Sequence, residues 1–229
     1  MLFSRIEREG NYPCYYDDMD ANKKKAAKGM IKETLKALES NNMEAAFVET
    51  KEELLTLIKM MIGEGAYTAS GGSMTLIETG VMDYLKNHTD YHEDKKDAYN
   101  AAFYLVSANA ITMHGEIYEV DARSNRVSAM LYGPEKVIVI AGINKIVTDL
   151  HAAVERVKTE AAPANAIRLA RNTPCAKKGS CVYPLCSDSS FGADGCATDE
   201  RICSNTVIFS RQSVKNRIAV IIVGEDLGY

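Results

Sequence analysis

Residues 136–145 read KVIVIAGINK, and this stretch carries the strongest indication of the fold. The apolar run at 137–143 is far too short to cross a bilayer, and its length suits a buried strand. Polar Asn144 and Lys145 follow at once. In open α/β sheets, ligands collect beyond the carboxyl ends of the strands. The stretch therefore predicts a buried strand at 136–141 with a candidate binding loop directly after it.

Strand and helix patterns alternate on both sides of this stretch. Further strands are predicted at residues 45–48, 66–70, 206–209 and 217–223. Helices are predicted at residues 21–40, 50–62, 124–131 and 149–160, with one more beginning at Ser73. Met113-His114-Gly115 reads as the turn of an antiparallel hairpin, inserted in the sheet, between segments 103–112 and 116–120. The alternation indicates an α/β fold with a layered sheet.

The composition is that of an ordinary folded chain. It has 229 residues, of which 46% are hydrophobic, and a net charge of −4. This charge gives no overall positive field that would attract nucleic acid or anionic lipid. The sequence lacks an apolar stretch long enough for a membrane span, and its beginning lacks the apolar core of a secretory signal. We expect no nucleic acid or membrane partner and a cytoplasmic location, and a homo-oligomer is left open.

The start of the chain differs from the rest. Residues 1–18 show no clear periodicity, whereas a regular helical pattern begins only after Met19. We interpret residues 1–18 as an N-terminal extension and residues 19–229 as one domain. This length is enough to bury a full hydrophobic core.

A glycine turn lies where the strand at 66–70 passes into the next helix. Gly71 and Gly72 can expose backbone N–H groups there, and Ser73 and Thr75 add hydroxyl donors. Unpaired amides and the positive end of a helix dipole favour the binding of an anion. The alternative is a tight turn in which Ser73 serves only as the N-cap of the helix.

Arg126 is the candidate anion clamp of this sequence. It lies in the polar patch at 121–126, between two apolar segments. A guanidinium group can bind a carboxylate or a phosphate through two parallel hydrogen bonds. The neighbouring Asn125 would help to orient such a ligand. The alternative for Arg126 is a surface ion pair with Asp121.

Asn109, Asn144 and Lys145 complete the candidate ligand-binding set. Asn109 interrupts an apolar segment, so it either orients a ligand or satisfies a buried backbone group. Asn144 and Lys145 qualify by their position after the buried strand, and the alternative is a loop with Asn144 as a helix cap and Lys145 in solvent. No convincing general base stands out, so whether the chain is an enzyme is left open. The available carboxylates are Glu116, Asp121 and Glu225.

Five of the six cysteines lie between Cys175 and Cys203. In a reducing compartment such a cluster indicates metal ligands or redox-active thiols before disulfides. Neither a zinc ribbon nor the standard ferredoxin has this spacing. Zinc, an iron-sulfur cluster, free thiols and a disulfide therefore all stay open. The candidate metal ligands are Cys175, Cys181, Cys196 and Cys203, with Cys186 as an extra thiol in the longest gap.

Seven stretches, taken in order, resemble the LUD-domain (lactate utilisation protein C) family from about Met19 to Tyr229. The resemblance implies a three-layer αβα sandwich of the sugar-phosphate isomerase and CoA-transferase superfold, with an inserted antiparallel hairpin and a Cys-rich loop at 173–203. The segment 182–195 lengthens the connection that the family has between the second and third cysteine. The stretches are GGSMTL (71–76), SANAIT (107–112), NRVSAMLYGPEKVIVIAGINKIV (125–147), APANAIRL (162–169), TPCAKKGSC (173–181), RIC (201–203) and VGEDLGY (223–229).

The resemblance also implies a function. Some members of this family act with iron-sulfur partner subunits in the oxidation of lactate to pyruvate, which implies a protein of organic-acid utilisation that binds a small anionic metabolite. One alternative is a non-catalytic or redox-sensing module whose Cys-rich loop holds zinc or an iron-sulfur cluster. Another is an isomerase or an enzyme acting on CoA esters. A fold transfers between relatives more safely than a reaction does.

Overall fold

The computed structural model describes residues 20–182 and 192–229. The extension at 1–18 and Cys186 lie outside these residues. The strands within them are β1 (Glu44–Val48), β2 (Tyr67–Ser70), β3 (Asp90–His92), β4 (Phe103–Val106), β5 (Ala110–Thr112), β6 (Ile117–Asp121), β7 (Lys136–Gly142), β8 (Ile146–Val147), β9 (Asn205–Phe209) and β10 (Ile218–Val223).

The helices connect these strands. They are α1 (Ala21–Ser40), α2 (Lys51–Met61), α3 (Met74–Glu78), α4 (Val81–His88), α5 (Asn125–Leu131), α6 (Leu150–Arg156), α7 (Ala162–Arg168) and α8 (Pro174–Lys178). A 3₁₀ turn at Ile143–Lys145 follows β7, and a π-helical turn at Val157–Ala161 joins α6 to α7. No helix among the described residues is both long and apolar enough to span a membrane.

A six-stranded parallel sheet in the order β1-β10-β7-β4-β2-β3 forms the centre of the fold. The side chains of β7 alternate between its two faces. Val137, Val139 and Ala141 pack towards α1 and α5. Ile138 and Ile140 pack towards α2, α3 and α4. Because both faces are covered, β7 reads as the continuous apolar run typical of a parallel sheet, and the layers form the expected αβα sandwich.

A second, four-stranded sheet in the order β8-β5-β6-β9 packs on the face that α1 and α5 cover. It contains the predicted hairpin, since β5 and β6 pair antiparallel. The hairpin is therefore not inserted in the parallel sheet, and β9 also pairs with β6 in the second sheet. The outer face of this sheet packs against α6 and the π-helical turn.

The single strand predicted at 103–112 is wrong, because the structure divides it into β4 and β5. The break lies at 107–109, where backbone acceptors bond to arginine side chains instead of a neighbouring strand. Ser107 O accepts from Arg126 Nη1 at 3.3 Å, and Asn109 O accepts from Arg156 Nη1 at 2.7 Å. The chain consequently leaves one sheet and enters the other at this point.

The helix predicted at 149–160 also differs from the structure. It changes to a π-helical turn after Arg156 and continues through α7 to Arg168. The Ala162 N–H bonds to Val157 O in the wider π pattern. A π turn inserted in an α-helix is frequent near functional sites. Here it places residues 158, 161 and 162 beside two cavities.

Candidate functional site

A pocket of about 350 Å³ opens beyond the carboxyl ends of β2, β4 and β7. Loops after these strands supply one side, and β6, α7 and the C-terminal residues supply the rest. Seven of the nine residues that the sequence predicts as ligand contacts line it, whereas Gly71 and Asn144 do not. The seven are Gly72, Ser73, Thr75, Asn109, Asn125, Arg126 and Lys145.

The pocket wall carries far more positive than negative charge. Among the described residues that line the pocket, Asp121 is the only one with an acidic side chain. Its carboxylate accepts hydrogen bonds from the backbone N–H groups of Arg123, Ser124 and Arg126 at 3.0–3.1 Å. Such an excess of cations in a concave site attracts anions. The basic lining residues are Lys95, Arg123, Arg126, Lys145, Arg168 and Arg171.

Lys145 lies in the pocket wall with only 2% of its surface exposed. Its Nζ donates to Ser107 Oγ at 2.8 Å and to Thr75 Oγ1 at 3.0 Å. Burial, and next the charge of Arg156, lower the Lys145 pKa to about 7. The alternative in which Lys145 is solvated is therefore wrong. An amine with this pKa can bind an anion as an ammonium group or accept a proton as a neutral base.

Arg126 is held by the protein on all of its terminal nitrogens. Nη1 donates to Glu119 Oε2 at 2.7 Å and to Ser107 O, and Nη2 donates to Val120 O at 2.9 Å and to Asn109 Oδ1 at 3.2 Å. Its ion-pair partner is thus the fully buried Glu119, and the alternative of a surface pair with Asp121 is wrong. These bonds fix the guanidinium in the floor of the pocket.

Glu119, which lies in the floor of the pocket beside Arg126, has incomplete hydrogen bonding. Burial raises the pKa of its carboxyl group against the opposing charge of Arg126. Its Oε1 atom has no hydrogen-bond partner among the described residues. A buried carboxylate with one unbonded oxygen depends strongly on its single ion pair.

The three predicted asparagines have different positions. Asn109 Oδ1 accepts from Val120 N at 2.8 Å, so this residue satisfies a buried backbone group, one of the two alternatives, while it lines the pocket. Asn125 begins α5 at the pocket edge. Asn144 bonds instead to the C-terminal segment, where its Oδ1 accepts from Leu227 N at 3.2 Å and its Nδ2 donates to Gly228 O at 3.4 Å.

The glycine turn is built for close packing. Gly71 is buried, and a Cβ atom on it would lie 2.8 Å from Arg126 Cγ. Gly72 is exposed at the pocket with open space around its Cα. Ser73 is the N-cap of α3, since its hydroxyl accepts from Leu76 N at 3.3 Å. Thr75 is buried and contributes its hydroxyl to Lys145.

The C-terminal residues form a wall of the pocket, which the sequence did not indicate. Thr75 Oγ1 donates to Leu227 O at 3.3 Å, and Gly228 N donates to Glu78 Oε2 at 2.7 Å. Tyr229 lines the pocket, and its buried hydroxyl has no partner among the described residues. This segment brings Gly228 close to the Lys145 amine.

Sequence reasoning overlooked three residues that organise the site. Ser107 bonds to Lys145, Glu119 pairs with Arg126, and Arg156 donates from Nε to Asn144 O at 2.8 Å. Glu119 could have been selected from the sequence, because it is a charged residue within the otherwise apolar segment of β6. Of the carboxylates that the sequence did offer, Asp121 lines the pocket, whereas Glu116 bonds to Thr112 and Glu225 bonds to Lys51 N at 2.8 Å.

The candidate metal ligands line a second, smaller cavity. Cys203 is buried and the other three are half-buried, and all four are free thiols. Within residues 20–182 and 192–229, no three His, Cys, Asp or Glu side chains are arranged around a single ion position. The ligand set and the kind of metal thus stay predictions. The four residues are Cys175, Cys181, Cys196 and Cys203.

The fold and this pocket define an αβα protein with a cation-lined pocket at its strand ends. The sequence model of the LUD domain matches residues 31–223, and the chain belongs to the LUD-domain family. This family is associated with lactate utilisation. The family and the sandwich fold expected from the sequence are therefore confirmed.

A solved structure supports the same fold. The chain is similar to a DUF162 family protein from Deinococcus radiodurans, with a TM-score of 0.51 and 14% sequence identity. The likeness covers 86% of this chain and 97% of that one. At this identity it shows the fold alone. No curated protein matches the chain.

Proposed function

We propose that this LUD-domain protein binds a small organic acid of the lactate type in the pocket at the ends of β2, β4 and β7. The observation that carries the proposal is the buried Lys145 amine, held between two hydroxyls in a wall dominated by cations. The carboxylate of such an acid would gain charge-assisted hydrogen bonds from the arginines of this wall, and its hydroxyl or keto oxygen would gain one from Lys145. The pocket volume of about 350 Å³ is at the lower end for ligand sites and suits a small metabolite.

The arrangement suggests how such a ligand would lie. Arg123, Arg168 and Arg171 are exposed at the pocket, so they are placed to attract the carboxylate. The hydroxyl or keto oxygen would then point to Lys145. Of its three ammonium protons, two bond to Ser107 and Thr75, which leaves one for the ligand.

We further propose that the Lys145 amine takes part in the oxidation of lactate to pyruvate. Conversion of a 2-hydroxy acid to a 2-oxo acid releases two protons and two electrons. Neutral Lys145 can accept the hydroxyl proton, because its pKa of about 7 leaves part of the amine unprotonated at neutral pH. The proton from C2 would pass to solvent, and the two electrons would pass one at a time to iron-sulfur partner subunits, a part of the proposal that is supported by family resemblance alone.

Binding measurements on wild type and two variants test the proposal. Isothermal titration calorimetry would compare lactate and pyruvate with a sugar phosphate and a CoA ester, the ligands of the alternative functions. We expect lactate or pyruvate to bind, and Lys145→Met to weaken binding by at least about tenfold, as expected for the loss of one charge-assisted bond. Lys32→Met, an exposed lysine of α1, is the control and should bind normally.

Two results would contradict the proposal. One is that neither lactate nor pyruvate binds at millimolar concentration, whether or not the sugar phosphate or the CoA ester binds. The other is equal affinity of wild type and Lys145→Met, which would place the ligand elsewhere. A thermal shift by each ligand provides an independent check, because a ligand that binds only the folded state raises Tm.

A further inference from the structure

The amine of Lys145 lies among residues that line the pocket. Its Nζ donates to the hydroxyls of Ser107 at 2.8 Å and of Thr75 at 3.0 Å, and both of these residues are lining residues, as is Lys145 itself. A Cβ atom on Gly228, a further lining residue, would lie 3.4 Å from Nζ. A ligand in the pocket is therefore within reach of the amine.

The two hydroxyls leave one direction of the amine for such a ligand. A neutral amine has two N–H bonds and one lone pair. When Nζ donates its two N–H bonds to Ser107 and Thr75, the lone pair takes the remaining tetrahedral position. Lysine acts as a nucleophile through this lone pair. The contacts of Nζ thus leave its reactive electron pair for a group bound in the pocket.

The surroundings of Lys145 also suit a nucleophile. The residue is only 2% exposed, and burial, followed by the charge of Arg156, lowers its pKa to about 7. Part of the amine is therefore neutral at neutral pH, whereas a solvated lysine is almost fully protonated there. Desolvation beside another cation is one arrangement that activates lysine for imine formation with carbonyl compounds.

The rest of the pocket can hold a 2-oxo acid next to this amine. Arg123, Arg168 and Arg171 are exposed at the pocket and can bind a carboxylate. In a 2-oxo acid the carbonyl carbon C2 is bonded directly to the carboxylate carbon. An anchored carboxylate therefore keeps C2 close to the pocket wall, and this proximity favours attack by a fixed nucleophile.

We infer that Lys145 Nζ forms an imine with the C2 carbonyl of a 2-oxo acid of the pyruvate type. The inference rests on the proposed function, because the acid must first bind in this pocket. It goes beyond that function, because it assigns to Lys145 a covalent bond with the ligand.

The reaction is balanced without an oxidant or a reductant. The lone pair of Nζ forms a bond to C2, and the π electrons of the carbonyl group pass to its oxygen, which takes a proton from the nitrogen. The resulting hydroxyl group leaves C2 with a proton from solvent, as water, while nitrogen and C2 form a double bond. One amine, one ketone and one proton thus give one protonated imine and one water.

Trapping with cyanoborohydride tests the inference, because it reduces an imine to a stable secondary amine. The full chain is incubated with pyruvate at neutral pH, reduced, and read by intact mass and peptide mapping. We expect one reduced pyruvate per chain, on Lys145, with at least about tenfold more label than on any other lysine, since those amines are mostly protonated. Lys145→Met should lose this label, and Lys32→Met, which removes an exposed lysine of α1, should keep it.

A ligand control needs no variant. Lactate has no carbonyl group, so it cannot form an imine, and an excess of it should protect Lys145 from labelling by pyruvate. Circular dichroism shows whether Lys145→Met is folded. Protection by lactate in wild type supports the inference even where that variant does not fold.

The outcomes separate the inference from the proposed function. Pyruvate that binds in calorimetry but leaves Lys145 unlabelled would overturn the inference and leave the proposed function intact. Equal labelling of Lys145 and the exposed lysines would overturn it as well, since this is the result of unselective surface chemistry. If neither lactate nor pyruvate bound, the proposed function would fail and the inference with it.

Discussion

Lys145 Nζ lies 2.8 Å from Ser107 Oγ, and this contact joins the loops that follow β7 and β4. These two strands are neighbours in the parallel sheet. The ends of adjacent parallel strands therefore bring the amine and the hydroxyl together. Ser107 Oγ also lies 3.2 Å from Thr75 Oγ1, which follows β2. Three strand ends thus determine the position of one buried amine.

The affinity for an organic acid should fall as pH rises above about 7. Lys145 is charged mainly below its pKa of about 7, so a bound anion loses this partner at higher pH. The decline approaches tenfold per pH unit where binding requires the charged form. Calorimetry at several pH values measures it. Arg168→Gln should weaken binding equally at every pH, because a guanidinium does not titrate in this range. A flat profile for wild type would contradict the assignment to Lys145.

The free energy of unfolding should rise with pH between about 7 and 10. The folded pKa of Lys145 is lowered from 10.5 to about 7, so the unfolded chain binds more protons in this window. The slope from this group reaches at most about 1.4 kcal/mol per pH unit. Urea denaturation of wild type and Lys145→Met gives the difference. Lys145→Met should lose this slope, whereas Lys32→Met should keep it. Equal slopes in all three proteins would show that Lys145 titrates normally.

Arg126→Met should destabilise the fold by about 3–5 kcal/mol, because it leaves the buried Glu119 carboxylate without its ion-pair partner. Glu119→Leu added to this change should recover a large part of the loss. Denaturation of the two single variants and the double variant yields the coupling free energy. The destabilisation by Arg126→Met should shrink at acidic pH, where Glu119 takes up a proton. Additive effects of the two substitutions would contradict a close pairing.

Gly71→Ala should cost about 1–3 kcal/mol through overpacking. The added Cβ would lie 2.8 Å from Arg126 Cγ and 2.9 Å from Val106 Cγ1. Gly72→Ala is the matched control, since no atom lies within 4 Å of its added Cβ, and its effect should stay within about 1 kcal/mol. Thermal denaturation separates the two variants. Similar Tm values would show that the turn can adjust its backbone.

The sequence predicted the parallel core well because its signals are local. The apolar run of β7 and the alternation of strands and helices are visible without knowledge of distant contacts. The break at 107–109 could not be predicted from the sequence, because its cause is not local. It depends on Arg126 and Arg156, which reach across from other elements to bond the backbone there. Strand boundaries set by distant side chains cannot be read from the strand itself.

In the candidate site, too, local features could be predicted from the sequence and contacts between distant residues could not. Position after a strand was enough to select Lys145, but its environment comes from Thr75 and Ser107, which are 70 and 38 residues away in the chain. Arg126 was selected by its chemistry as an anion clamp. Arg126 forms its ion pair with Glu119 because the fold places β6, the strand that carries Glu119, within reach of the guanidinium. Residue type indicates what a side chain can bind, and only the fold decides which partner is within reach.

The C-terminal wall should control the pKa of Lys145. Gly228 has φ +57°, and a Cβ atom on it would lie 2.7 Å from Thr75 Oγ1 and 3.4 Å from Lys145 Nζ. Gly228→Ala should therefore push the segment away from the amine and admit water. Since burial is the main cause of the lowered pKa, the pKa of Lys145 should rise towards its usual value.

NMR titration of isotopically labelled lysine side chains measures this shift. Gly179→Ala is the control, because Gly179 also has positive φ, at +79°, but has open space around its Cα. Both variants place alanine in the left-handed region, at about 1–2 kcal/mol, so they share the backbone cost. Only Gly228→Ala should change the Lys145 titration, and the loss of affinity with rising pH should move to higher pH with it. An unchanged Lys145 pKa in Gly228→Ala would mean that the strand ends alone keep the amine buried.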